Sequence, residues 1–181
     1  MRMSARLVTA EELERFPSDD NRYELVAGHL VPMTPVSFAH GRTVIQFGSL
    51  LHEYIRKRKL GVVVTEVGFI LATDPDTVRA PDLAFLRQER IPTPDPHGFW
   101  PGAPDLAVEV LSPDDRPGEI RSKVEEYFAM GVPAVLVIDP DLRSVEVHRP
   151  SSTPVRLADT DTLDLDDVLP AFRCAITEIF E

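Results

Sequence analysis

The segment Leu106-Ala107-Val108-Glu109-Val110-Leu111 is apolar at every position but one. Successive side chains of a strand point to opposite faces, so a run without polar alternation is a strand covered on both sides. Such a strand forces a layered architecture, because something apolar must lie against each face. Ala134-Val135-Leu136-Val137-Ile138 is a second run of the same kind. With 181 residues the chain has room for one core of this type and not for two full-sized enzyme domains, so we expect a single domain over residues 1–181. A composition of 43% hydrophobic and 27% charged residues excludes a disordered or fibrous chain.

The remaining segments supply the layers. Thr9 and Glu12 have capping-box spacing, and Leu13 and Phe16 give a short helix ending before Pro17. Arg22–Val26 and His29–Met33 flank Ala27-Gly28 as a hairpin. From Ser37 to about Lys59 apolar residues recur at helical spacing, with a basic end, Arg56-Lys57-Arg58-Lys59, that complements the helix dipole. The β-branched stretch Val62–Leu71 reads as one strand, ended by Asp74-Pro75-Asp76, and Ala80–Leu86 as another. Ile91–Pro104 is a proline-rich loop, Glu119–Met130 a helix stopped by Gly131 and Pro133, and Ser144–His148 a strand paired with Ala134–Ile138. The tail reads as an acidic loop and a short end helix. These elements predict α/β or α+β layering around a mixed sheet.

Thirty acidic residues against 19 basic ones leave a net charge of −11, which excludes a protein that coats nucleic acid by bulk charge. A polyanion partner would need a local basic patch or a bound cation. The single cysteine, Cys174, allows no internal disulfide and no multi-cysteine zinc site, and its apolar neighbours suggest core packing. No stretch of about 18 apolar residues occurs, and Met1–Val8 lacks the apolar segment of a signal peptide, so we expect no membrane partner and a cytoplasmic location. Prolines outnumber glycines, 17 to 9, which stiffens loops.

Two carboxylates sit in apolar strands where packing has no use for them: Asp82, after Pro81, and Glu109. A buried carboxylate costs several kcal/mol unless it is paired or bound to a metal. Separated by 27 residues, the two can meet on adjacent strands. A hard divalent cation would relieve their repulsion while leaving room for water and phosphate oxygens. On the helix after Glu109, Ile120, Val124, Tyr127 and Phe128 form an apolar stripe; Lys123 lies at one edge beside Tyr127 and Arg121 at the other. A lysine there can offset charge on a phosphoryl transition state.

Tyr23-Glu24-Leu25-Val26-Ala27-Gly28, Pro35 through His40, Pro81-Asp82-Leu83, Pro104 through Pro113, Lys123 with Tyr127, Gly131-Val132-Pro133 and Ile138-Asp139-Pro140 together resemble the Uma2 family of endonucleases (DUF820), in order, from about Thr9 to the C-terminus. That family is similar to the PD-(D/E)xK nucleases. The resemblance implies a restriction-endonuclease-like three-layer α/β/α sandwich on a mixed central sheet, cleavage of DNA, Mg²⁺ or Mn²⁺ as cofactor, and a homodimer. It implies Asp82 and Glu109 as metal ligands with the Val110 carbonyl, Lys123 as a catalytic lysine moved to the helix because Leu111 stands where the strict motif has lysine, and Glu24 and His40 as further site residues.

Each feature also has a plain structural reading. Glu109 and Lys123 alone make a salt bridge that a degenerate nuclease fold would keep; His40 caps a helix; Glu24 is an exposed hairpin residue; Arg56–Lys59 is a solvated helix end; Asp159, Asp161, Asp164, Asp166 and Asp167 are a solvated loop without the EF-hand glycine. No phosphate-binding glycine loop, nucleophile elbow or two-histidine zinc helix occurs. The competing functions are a catalytically inactive nuclease-fold binding or assembly protein and a hydrolase of small phosphate esters.

Overall fold

The computed structural model describes residues 6–16, 22–95 and 97–181. Its elements run α1 (Ala10–Glu14), β1 (Arg22–Val26), β2 (His29–Met33), α2 (Phe38–Arg58), β3 (Gly61–Val64), β4 (Phe69–Ala72), β5 (Thr77–Arg79), β6 (Leu83–Arg87), β7 (Trp100–Pro101), β8 (Leu106–Val110), α3 (Pro117–Ala129), β9 (Val135–Asp139), β10 (Ser144–His148), β11 (Val155–Leu157), β12 (Thr162–Asp164), β13 (Arg173–Ala175) and α4 (Ile176–Phe180). The Thr9 capping box forms as expected, and α1 ends at Glu14; Pro17 lies outside the described residues.

A six-stranded sheet in the order β11-β10-β9-β8-β6-β3 forms the middle layer. It is mixed: β8 and β9 run parallel, with Glu109 beside Val137, and the other neighbours are antiparallel. Leu83, Phe85, Leu106, Val108 and Val110 point to one face, where Phe47, Leu51 and Ile55 of α2 meet them. The C-terminal segment completes that side with Leu163, Leu165, Phe172, Ile176 and Phe180. Ala84, Leu86, Ala107, Val135 and Val137 point to the other face, against Val124 and Tyr127 of α3. The fold is a three-layer α/β/α sandwich, and Glu109 falls in the α3 layer because it shares the parity of Ala107.

A second sheet, β2-β1-β5-β4-β7, adjoins the α3 side and contributes Phe69, Leu71 and Trp100 to its core. This corrects the reading of Val62–Leu71 as one strand. The chain leaves the central sheet after Val64, passes Glu66 with φ 55°, and enters the second sheet at Phe69. β-Propensity continues across the break, but Gly68 marks a close approach: a Cβ there would stand 2.4 Å from the Phe99 ring. The strand expected from Ala80 starts at Leu83, and β5, folded back from β4 across the Asp74-Pro75-Asp76 turn, precedes it. The acidic tail is not all loop. Leu163 is buried in β12, while Asp164 pairs with Arg173 at 2.8 Å and Asp167 with Arg149 at 2.7 Å. Cys174 is packed in the α2-side core, and burial pushes its thiol up to about 12.

Two local features aim α2 at the site. Ser37 caps it, its hydroxyl accepting the His40 N–H at 3.2 Å, which sets His40 in the first turn. The basic end is solvated as expected, with Lys57 on Glu53 at 2.5 Å and Arg58 over the Tyr54 ring at 3.8 Å. Phe47→Ala should cost about 3–5 kcal/mol in urea unfolding, because its ring is fully buried between helix and sheet. Ile45→Ala, two residues away and 67% exposed, should stay within about 0.5 kcal/mol.

Candidate active site

The polar centre forms where the two sheets and α3 converge. The β6/β8 ladder pairs Leu83 with Val108, and continuing that register sets Asp82 across from Glu109. Leu111 N–H turns toward β9, so the Val110 N–H faces the β6 side, and the Asp82 carboxylate takes it at 2.7 Å where the ladder has ended. The other Asp82 oxygen lies 3.1 Å from His40 Nε2, whose Nδ1 is 3.2 Å from the Ser112 hydroxyl. His40 therefore does more than close a helix. Burial disfavours its charge, but the hydrogen bond and charge of Asp82, with Asp115 and the Val110 backbone, raise its pKa above the ordinary histidine value.

Glu109 is buried under α3. Its Oε1 accepts the Tyr127 hydroxyl at 2.8 Å and its Oε2 the Lys123 ammonium at 3.1 Å. Lys123 is one turn before Tyr127, so one helix face delivers both donors. The lysine edge of the stripe faces the sheet, and the Lys123 side chain remains 21% exposed. Burial lowers the affinity of Lys123 for its proton, but Glu109 and Glu24 raise it by more, and the side chain stays charged. For Glu109 burial comes first, joined by the charges of Asp82 and Glu24; together they outweigh Lys123 and Tyr127 and push the carboxyl up to about 7. Burial and the neighbouring acids likewise hold the Tyr127 hydroxyl far above its usual range, so it donates and does not ionise.

Glu24 is not the exposed hairpin residue its position in β1 suggests. β1 pairs with β5 as well as β2, and the carboxylate is 4% exposed. Its Oε1 accepts the Ala80 N–H at 3.0 Å and lies 3.4 Å from Lys123 Nζ, while Oε2 takes Arg79 at 2.7 Å. Arg79 is the residue that sequence reading missed. Its guanidinium also forks onto both oxygens of Glu126, at 2.6 and 2.9 Å, and these acids raise its pKa against the cost of burial. A three-residue strand has no periodicity to expose a buried arginine. The signal available was a charge three residues ahead of Asp82, and Glu126 one turn after Lys123. Asp105, in the same motif as Glu109, serves the scaffold: it binds the Arg87 N–H and Arg90, each at 2.9 Å.

The donors suit a hard cation. Glu24, Asp82, Glu109 and Glu126 face Arg79, Lys123 and His40, so carboxylates outnumber the cations, and burial first, then the charges of Asp82 and Glu24, raise the Glu109 carboxyl. Among the described residues no three His, Cys, Asp or Glu side chains form a ready cage. Asp82 and Glu109, across from each other at the strand ends, are the carboxylates that could hold such an ion, few enough that it would keep waters.

The chain matches the Uma2 family, described as "Putative restriction endonuclease", over residues 10–177. Among solved structures it is similar to the crystal structure of a "putative nuclease belonging to DUF820" from Anabaena variabilis, with 19% identity, 96% of this chain and 97% of that one covered, and a TM-score of 0.85. A search of curated proteins finds no match.

Lys123→Met should destabilise the metal-free protein by about 3–5 kcal/mol at pH 8, since it removes the cation beside buried Glu109, leaving that carboxylate only the Tyr127 hydroxyl, and takes one partner from Glu24. The loss should shrink at pH 5. Glu109, with its folded pKa raised to about 7, contributes stability that is present below the ordinary carboxylate range and lost as pH rises through 7. Urea titrations at both pH values check this, and Glu109→Gln should flatten the decline between them.

Proposed function

The chain belongs to the Uma2 family, and from that premise we propose that it is an endonuclease hydrolysing phosphodiester bonds in DNA, with Mg²⁺ or Mn²⁺ at Asp82, Glu109 and the Val110 carbonyl. The observation that carries the reading is the Lys123 ammonium, held at 3.1 Å by Glu109 and 3.4 Å by Glu24, partly open to solvent beside the Asp82 strand end.

Bound there, the cation supplies Lewis-acid polarisation of the phosphoryl oxygens and acidifies water. The protein's own groups do the rest. Lys123 orients the attacking water and offsets the charge gathering on the phosphoryl oxygens as the new P–O bond forms and the bond to the leaving sugar oxygen breaks. Glu24, locked by Arg79 and the Ala80 N–H, keeps Lys123 over the strand. Tyr127 holds one lobe of Glu109 and leaves the lone pairs of the other for Lys123 and the cation. His40, bridging Asp82 and Ser112, orients Asp82, and on this reading it serves as a titratable group that can move a proton at that end of the site. A homodimer in the cytoplasm belongs to the same reading, and light scattering tests its stoichiometry.

The inactive nuclease-fold reading has one observation in its favour: Lys123 and Tyr127 already satisfy both Glu109 oxygens without a metal. Plasmid and oligonucleotide cleavage with Mg²⁺ or Mn²⁺ separates the two. We expect Asp82→Asn, Glu109→Gln and Lys123→Met each to lose about 10²-fold or more in rate, the scale of a transition-state contact. EDTA should abolish cleavage, and calorimetry should show Mn²⁺ bound by the wild type but not by Asp82→Asn. Cleavage unchanged in all three variants, or no cleavage and no Mn²⁺ binding by the wild type, overturns the proposal.

A further inference from the structure

A groove of about 690 Å³ runs from Asp82 and His40 along the outer flank of α2 to β3. It lies on the α2 side of the strand end, away from Lys123. We propose that this groove holds an unpaired base of the nucleic acid next to the scissile phosphate, so that the substrate is single-stranded or locally opened; this deepens the nuclease reading and rests on it.

The lining argues for a neutral, flat-faced occupant. Neither lysine nor arginine lines the groove; of its three acids, Asp82 stands at the end beside His40, while Glu53 and Glu66 are paired with Lys57 at 2.5 Å and Arg22 at 2.9 Å. A track for the phosphate backbone needs cations, and here the backbone would meet carboxylates. Val36, Val44, Ile45 and Val63 offer apolar walls, and Ser49, His52 and Thr65 offer hydrogen bonds at the edge. Apolar walls with a few polar groups, at this volume, are the features of a small-ligand pocket. A base has an apolar face and a hydrogen-bonding rim, and it can enter such a pocket only when it is out of the duplex stack.

Three residues of α2 fit this occupant. Gly41 sits inside the helix, where glycine is weaker than alanine, and a Cβ built there meets nothing within 4 Å. Packing does not need that glycine; an open groove does. Phe38, three residues earlier on the same flank, is 86% exposed, and Ile45, four residues later, is 67% exposed. Phe38 does not line the groove, but an exposed aromatic one helical turn before Gly41 can serve as a stacking platform for a neighbouring base. A second copy of the chain could also cover these residues, but the groove closes on Asp82 and His40, where a substrate has to be.

The test is binding of fluorescent oligonucleotides by anisotropy, with Ca²⁺ in place of Mg²⁺, alongside cleavage with Mg²⁺. The wild type should bind a single strand more tightly than the duplex of the same sequence. Gly41→Leu should fill the groove, keep or raise the melting temperature, and weaken single-strand binding by about tenfold, the size of one stacked base, with duplex binding unchanged. Phe38→Ala should weaken single-strand binding in the same direction. Equal binding by wild type and Gly41→Leu, preference for the duplex, or no oligonucleotide binding at all overturns the proposal, as does a change of oligomeric state in Gly41→Leu with single-strand binding intact. Single-strand binding lost in Gly41→Leu without cleavage by the wild type keeps the groove and sinks the nuclease reading; cleavage with equal binding by both proteins does the reverse.

Discussion

A carboxylate buried in the middle of a sheet organises this protein. Glu109 occupies a strand whose other side chains are apolar on both faces, and it cannot be left without partners at a cost the fold could bear. α3 answers with two donors from one face, Tyr127 and Lys123, and this fixes the rotation of the helix about its axis. Apolar packing by Val124 alone would tolerate several rotations. The ion pair therefore acts as a register device as well as a chemical group.

The demand then propagates outward. Lys123 answers Glu109 and Glu24; Glu24 needs Arg79; Arg79 needs Glu126, which returns to α3. That closed circuit ties β1 and β5 of the second sheet to the helix that covers the first. A sheet of five short strands, seated through Phe69, Leu71 and Trp100, gains a polar tie to α3 by this route. On the opposite side Asp82 replaces a missing ladder bond to Val110 and carries the connection across to His40 and α2. All three layers meet at four carboxylates.

How much of this can be read from residues alone follows from where each signal is stored. Glu109 is legible because one polar residue interrupts an apolar run, and Lys123 because helical spacing sets its bearing relative to Tyr127. Both signals are local. The burial of Glu24 depends on a second partner strand, β5, which is only three residues long and leaves no pattern. Arg79 is hidden for the same reason. Val62–Leu71 reads as one strand because β-propensity is blind to a change of sheet, and only the crowding of Gly68 by Phe99 marks the crossing. The family resemblance, carried by motifs in order along the chain, supplied the α/β/α sandwich that local propensities left undecided between α/β and α+β.

The charge balance limits how such a protein can hold nucleic acid. Its net charge is −11, and many of its arginines are committed to internal acids: Arg79 to Glu24 and Glu126, Arg90 to Asp105, Arg149 to Asp167, Arg156 to Glu146 and Arg173 to Asp164. Displacement of counterions from a phosphate backbone by surface cations, the usual source of affinity, is weak in a molecule built this way. On the nuclease reading proposed above, affinity would have to come from the reacting centre, where carboxylates would suit a cation that phosphate oxygens can share, and from contacts with bases, which carry no charge to repel. On that reading the acidic surface and the apolar groove beside Asp82 would be two sides of one constraint: what the backbone cannot contribute, the bases would.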